Sequence, residues 1–417
     1  DGTGSYSISS LLSGTYTITV SLAGYVTGTI TGVTVAATGL DVTNQNLTLQ
    51  RLYTVTYDPN GGGGTAPVSQ SVVAGQITLP TGTGMTAPVG SGRTFGGWTA
   101  GSTTYAAGAS YTVSADVTFK AIWAGVTSVG AIGNHISQSG AAGTESNPVP
   151  LPVEVTFNNM DDWRDLLLAI RNAGKYVSLD LTGSTMAGIV NDGEFTPGNY
   201  NTGEPFIVAL TLPADVTKLQ SGSPGYSTFR NFTKLQEISG PKVEIVGAEL
   251  FYNKGPKLRS VSFPVATTAL NSIFGYCKVL TAVDLGKVIS LGNMAFDKCE
   301  ALSSLDLSAA KTIGNHVFSG CIALSSLDLR AATSLGDGVF EGTGSATLTI
   351  ILGATPPTVG TDMFNYVTTA RTVILKVPSG ATGNYTEAWK NAFKGQGTSG
   401  SDTTKINNNI NLTITTY

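Results

Sequence analysis

Phenylalanine returns at Phe229, Phe251, Phe274, Phe296, Phe318 and Phe340, at steps of 22, 23, 22, 22 and 22 residues. Around it the chain nearly repeats itself: FDKCEALSSLDL fills Phe296–Leu307 and FSGCIALSSLDL fills Phe318–Leu329. Each unit reads F-x-x-C-x-x-L-x-x-L-x-L, then a short spacer, an apolar residue and a glycine, with Gly247, Gly292, Gly314 and Gly336 in that slot. A period in this range is the signature of a solenoid, because one thin unit has no partner for its apolar face until a second stacks on it. Leu305 and Leu307 alternate inward on a short strand, while Phe296 and Leu302 fill the core beneath the next unit. The outer units depart from the pattern: Phe232, Lys254 and Thr343 stand where the inner ones have cysteine, and Val208–Gln220 reads as a further degenerate unit.

A period of this length with L-x-x-L-x-L matches leucine-rich repeats in general. The F-x-x-C-x-x-L start resembles the BspA-like, treponemal-type class of bacterial surface proteins over residues 151–417. An open solenoid needs caps. In NMDDWRDLLLAIRNAG, Met160, Trp163, Leu167 and Ile170 share a helical stripe, with Asn159 as N-cap, acids in the first turn and Gly174 after the end. In NYTEAWKNAFKG, Tyr385, Ala388, Trp389, Ala392 and Phe393 form a second stripe, with Asn384 and Glu387 spaced as a capping box. The closing INNNINLTITTY predicts a last strand covering an edge.

The N-terminal third has another texture. Residues 1–51 show alternating runs, with Tyr16, Ile18 and Val20 on one strand face, and predict a small β-sandwich. DGTGSYSISSLLSGTYTITVSLAGYVT resembles the carboxypeptidase-regulatory-like or Cna-B-like module, a spacer in bacterial surface proteins. The Lys–Asn isopeptide bond of some relatives is ruled out, since no lysine lies between Asp1 and Gln50. Residues 52–124 carry YTVTYDPNGGGG, FGGW at Phe95–Trp98 and a final AIW. The Asp-Pro-Asn-Gly run is turn chemistry: Pro59 presets its own φ and Gly61 accepts a positive one. These elements resemble the internalin-B-type B-repeat, a β-grasp-like, non-enzymatic stalk or weak-adhesion unit. Residues 125–150, rich in Gly and Ser and without periodicity, read as a linker. The expected whole is multidomain and β-rich: sandwich, β-grasp-like module, linker, and a leucine-rich-repeat solenoid with helical caps. Because it opens at Asp1 without a methionine, the chain reads as a fragment of something longer.

Charge narrows the function. Only 12% of residues are charged and the net charge is −4, so there is no basic footprint for nucleic acid. No apolar run of about 18 residues offers a transmembrane segment. The two histidines, His135 and His316, lie far apart, and no Gly-x-Ser-x-Gly, His-Glu-x-x-His or Gly-x-x-x-x-Gly-Lys motif occurs. Asn60–Gly64 is read as a hairpin turn. No enzymatic role and no cofactor is expected. Cys277, Cys299 and Cys321 form one column, read as buried thiols that behave as small hydrophobes, although stacking at about 5 Å would also allow a disulfide.

Exposed strand positions remain for function. Asp284, Asp306 and Asp328 recur every 22 residues, flanked by Ser262, Ser304, Ser326 and Arg330. They form the expected concave-face site, either a solvated acidic file or a stripe for a ligand or weakly bound Ca²⁺. The resemblance implies an extracellular or cell-surface protein that attaches to host matrix proteins, other bacteria or polysaccharide. Two alternatives stay open: a carbohydrate-binding region using Tyr252, Tyr276 or Tyr366 as stacking platforms, and a structural stalk or surface-layer component.

Overall fold

Leucines spaced two apart, as at Leu305 and Leu307, point to one side of a strand, and a strand of three or four residues has no independent stability. In a computed structural model these strands gain stability by stacking in parallel. It describes residues 6–37, 41–139, 141–186, 194–195, 203–220, 229, 231–252, 257–367, 370–394 and 410–417. The chain divides into two units, Asp1–Val89 with Arg93–Ala124, and Gly90–Gly92 with Gly125–Tyr417.

In the first unit, Gly14–Val20 and Gly28–Val35 form an antiparallel hairpin. Tyr16, Ile18 and Val20 share its half-buried face, as their alternation predicts. The expected sandwich is not formed: among the described residues up to Gln50 there is no second sheet, and Val33 is the one buried hydrophobic residue. The alternation filled only one face, and Leu12 is left 82% exposed. Leu47 and Leu49 do lie against the hairpin, so close that a Cβ on Gly28 would stand 2.2 Å from the Leu47 side chain.

Residues 52–124 build a five-stranded sheet in the order Gln70–Val73, Leu52–Asp58, Val117–Ala124, Thr94–Ala100, Thr103–Tyr105. The first and last long strands run parallel at its centre, as a β-grasp-like module requires. Val55, Tyr57, Trp98 and Phe119 are buried, and Trp98 Nε1 donates to the Pro80 carbonyl (2.7 Å). The Asp-Pro-Asn-Gly turn forms with Asn60 and Gly61 both at positive φ (49° and 81°) and the Asn60 amide on Asp58 Oδ1 (2.8 Å).

In the second unit each repeat gives one strand to each of two parallel ladders. One ladder begins Val149–Pro152, Val177–Asp180, Ile207–Thr211, Glu237–Ser239, Ser260–Ser262, Ala282–Asp284; it resumes at Ser304–Asp306, Ser326–Leu329, Thr347–Leu352, Arg371–Val377 and ends with Ile410–Thr416. The other is made of two-residue strands, from Glu194–Phe195 to Thr358–Val359. The result is a β-solenoid of about eight turns, each turn advancing by the strand spacing. The periodic phenylalanines stack face to face through its core. Ring centroids are 4.8, 5.5, 5.2, 5.7 and 6.2 Å apart from Phe229 to Phe340, and Phe364 extends the stack by a further 5.3 Å.

Both ends are sealed by helices. Helix α2, Met160–Ala173, buries Trp163, Leu166, Leu167 and Ile170. Its N-cap Asn159 accepts from the amides of Asp161 and Asp162 (2.8 and 3.1 Å), and Gly174 closes it at φ 64°. The stretch 125–150, expected to be a linker, is folded: helix α1, Ile132–Gln138, packs on α2 and buries Ile132 and Ile136, while Val126 bridges to Val153. Its Gly and Ser content masked an i, i+4 apolar pair. At the far end helix α3, Glu387–Phe393, sets Phe393 against Phe364, edge on, at 5.4 Å. Its N-cap is Thr386, which accepts the Trp389 amide (3.3 Å), rather than Asn384, whose side chain donates to the Ala354 carbonyl (2.9 Å). Tyr385 anchors this register: it is buried, and its hydroxyl donates to the Gly353 carbonyl (2.6 Å). Ile410–Thr416 pairs in parallel with Arg371–Val377, the closing strand the sequence predicts. No helix among the described residues is long and apolar enough to cross a membrane.

Candidate functional site

The cysteine column is internal. Each thiol donates to a phenylalanine carbonyl of the preceding repeat: Cys277 to Phe251, Cys299 to Phe274 and Cys321 to Phe296, at 3.2, 3.2 and 3.1 Å. All three are buried and unbridged. Burial pushes the Cys299 and Cys321 thiols up, away from the reactive thiolate. In the last repeat Thr343 takes this slot, donating to Phe340 (2.9 Å) and accepting from buried Arg371 (2.9 Å).

A second ladder, which carries no hydrophobic pattern in the sequence, runs through side-chain oxygens. Asn271 Oδ1 accepts the amide of Asn293, Asn293 that of Asn315, Asn315 that of Asp337, and Asp337 that of Thr361, at 2.8, 2.9, 3.0 and 2.7 Å. It explains the glycine column. A Cβ on Gly292, Gly314 or Gly336 would stand 2.5, 2.7 or 2.3 Å from the side-chain oxygen of the preceding rung, so only hydrogen fits. The signal was present as Leu-Gly-Asn, Ile-Gly-Asn and Leu-Gly-Asp at Leu291–Asn293, Ile313–Asn315 and Leu335–Asp337. Next to this ladder runs a file of left-handed residues, Ser272, Met294, His316, Gly338 and Asp362, at φ 53° to 57°.

The acidic residues of the expected site lie at or next to the ends of their strands: Asp284 and Asp306 are terminal, and Asp328 is followed by Leu329. Oδ1 of Asp284, Asp306 and Asp328 accepts the amide two residues on, from Gly286 (3.1 Å), Ser308 (2.9 Å) and Arg330 (3.2 Å), the Asx turn that tips the chain out of the strand. The Ser308 amide and hydroxyl hold the Asp306 carboxyl below the usual carboxylate range. Asp328 is clasped by Arg330, whose Nε lies 3.0 Å from both carboxylate oxygens and whose Nη2 also reaches Oδ2. Asp284 Oδ2 accepts the Ser262 hydroxyl (3.3 Å). Ser304 pairs with Ser326 and Asp306 with Asp328 in one ladder, while Asp284 belongs to the other sheet segment beside Ser262. The expected file of three is therefore broken into one and two. Among the described residues no group of three or more His, Cys, Asp or Glu has the geometry to hold a metal ion. Asp284, Ser304, Asp306 and Arg330 are exposed; Ser262, Ser326 and Asp328 are half-buried.

The histidines serve locally: His135 Nε2 bonds the Pro150 carbonyl (3.2 Å) and His316 Nδ1 bonds Glu341 Oε2 (2.7 Å). Of the candidate tyrosines, Tyr366 is 68% exposed and Tyr252 41%, while Tyr276 is half-buried edge-on to Tyr252 at 5.5 Å.

Parallel strands in register, one leucine row per repeat and a stacked aromatic core define a leucine-rich-repeat solenoid. Residues 206–310 and 244–371 match the BspA type leucine rich repeat region, in six copies, and residues 53–122 match the Listeria-Bacteroides repeat domain. The solenoid is thus built of BspA-type repeats, and the five-stranded module before it is a Listeria-Bacteroides repeat, as the resemblances predict. A leucine-rich repeat protein from Bacteroides ovatus ATCC 8483, known from a crystal structure, is similar at 20% identity and a TM-score of 0.32, over 50% of this chain and 43% of that one. The chain thus spans less than half the length of that protein. None of the curated proteins matches the chain. Both repeat families are generally non-enzymatic and typical of bacterial surface proteins.

Proposed function

We propose that this chain is a non-enzymatic binding protein, secreted or displayed on a bacterial surface, whose solenoid recognises an extracellular protein or polysaccharide. Residues 1–51 and 52–124 serve as spacer modules and the capped solenoid as the recognition element. What supports this reading is the division of labour within a repeat. The inward column is spent on packing, whereas Ser304 and Asp306 stand exposed and in register with Ser326 and Asp328 on the outer side of the same strands. A regular row of polar side chains on a rigid ladder is the surface solenoids use for partners.

The test is binding of the whole chain to immobilised extracellular-matrix proteins and polysaccharides, beside a Ser304→Ala, Asp306→Asn, Ser326→Ala variant. Asparagine retains the Asx turn, so the fold is kept while the row is changed. The reading expects saturable binding that the variant weakens at least tenfold. Absence of saturable binding to any partner, or identical binding by the variant, would overturn it.

A further inference from the structure

A second left-handed file crosses the turns of the repeats: Tyr276, Lys298, Gly320, Gly342 and Tyr366, at φ 63°, 59°, 67°, 59° and 57°. Backbone hydrogen bonds of 2.7 to 2.8 Å tie them side by side, Tyr276 to Asp297, Lys298 to Ser319, Gly320 to Glu341 and Gly342 to Asn365. Side chains project from this file except at the two consecutive glycines. With strands about 5 Å apart, Lys298 and Tyr366 stand roughly 15 Å apart along the file. The Lys298 side chain leans across Gly320, where a Cβ would meet its Cδ at 2.8 Å, so the open floor of the trough between them is the Gly342 backbone. The trough encloses about 460 Å³.

The lining mixes two chemistries. Tyr366, 68% exposed, and Ile322, 52% exposed, offer apolar surface to solvent. Around them stand Lys298, Glu300, Ser319 and Glu341. The acids already have cationic or imidazole partners: Lys278 bonds Glu300 (2.8 Å) and His316 bonds Glu341 (2.7 Å). The rim therefore presents hydrogen-bond donors and acceptors with little unbalanced charge, beside one open aromatic face. That combination suits a neutral, hydroxyl-rich ring with an apolar face, and it suits a strongly charged ligand poorly.

We propose that this trough binds a neutral saccharide, stacked on Tyr366 and hydrogen-bonded to Lys298, Ser319, Glu300 and Glu341. The proposal rests on the reading of the chain as a binding protein and gives one ligand class a place distinct from the strand row. Gly342 allows a direct test. A Cβ there meets nothing closer than 3.8 Å, and the slots at Lys298 and Tyr366 already carry side chains at the same φ. Asparagine, which tolerates left-handed φ, would fill the trough without unfolding the repeat.

The whole chain would be run by affinity electrophoresis against dextran, α-mannan and xyloglucan, with Gly342→Asn, Tyr366→Asn and, outside the trough, Tyr252→Ala. The expected result is retardation by at least one polysaccharide, lost tenfold or more in the first two variants, kept in the third, with melting temperatures unchanged. Equal retardation of all variants would overturn the site. So would capture of a matrix protein but no polysaccharide, an outcome that leaves the binding-protein reading standing; no binding to either class would remove both.

Discussion

Met294 sits at φ 57°, in a file where Ser272, His316 and Asp362 also bear the strain and only Gly338 avoids it. A left-handed conformation costs an L-residue about 1–2 kcal/mol, of which glycine's greater freedom in the unfolded chain would offset roughly 0.5–1 kcal/mol. Met294 is 45% exposed, so little packing is lost with its side chain. Met294→Gly is expected to stabilise the solenoid by about 0.5–1 kcal/mol in urea unfolding; a loss of stability would show that the file is not strained. These positions were invisible in the sequence because they obey no residue-type rule: serine, methionine, histidine and aspartate share one slot. The phenylalanines, leucines and cysteines were legible because packing against an identical neighbour leaves little choice of side chain. The asparagine rungs lay between these cases, periodic but polar, and polar residues in turns carry no hydrophobic pattern.

At the scale of the element, how strands end and helices begin was only partly legible. The aspartates, expected from their alternation with inward leucines to form either a solvated acidic file or a ligand stripe, also close the turns with their carboxylates. This gives a pH dependence with a definite sign. Hydrogen bonds from Ser308 hold the folded Asp306 carboxyl below the unfolded value of about 3.9. Its contribution is therefore complete above that value and is lost as pH falls through the lower folded value. Wild type should lose stability relative to Asp306→Asn as pH falls from 5 toward 2, measured by thermal melts; a constant difference would refute the assignment. Helix α2 was read correctly because Asn159, the acids and Gly174 are all local signals. Asn159→Ala should cost about 1 kcal/mol, and a change within error would mean that α2 is held by Trp163 and its neighbours alone. Helix α1 was missed because two isoleucines in a Gly/Ser-rich stretch do not announce a helix until a partner surface exists. The α3 cap moved by two residues, from Asn384 to Thr386, because tertiary anchoring of Tyr385 fixed where the helix begins.

At the scale of the whole molecule, residues 52–124 have a separate core around Trp98 and Phe119, while the second unit has a continuous one that runs from Val126 through the phenylalanine stack to Phe393 and the closing strand. Repetition decided this much of the fold in advance. The sandwich expected at the N-terminus failed for the complementary reason, since alternation names a strand but not what covers its second face. The same limit applies to function: periodicity fixes the inward columns and says nothing of the outward side chains, so the glycine-floored trough emerged only with the turns in place.

Under the proposed function, recognition belongs to the solenoid and not to the modules before it. Amide hydrogen exchange of the intact chain, with and without a protein or polysaccharide that it captures, tests this most directly. Added protection is expected within residues 260–366, at the strand row or the trough, with unchanged exchange across residues 14–124. Protection confined to residues 14–124 would contradict it.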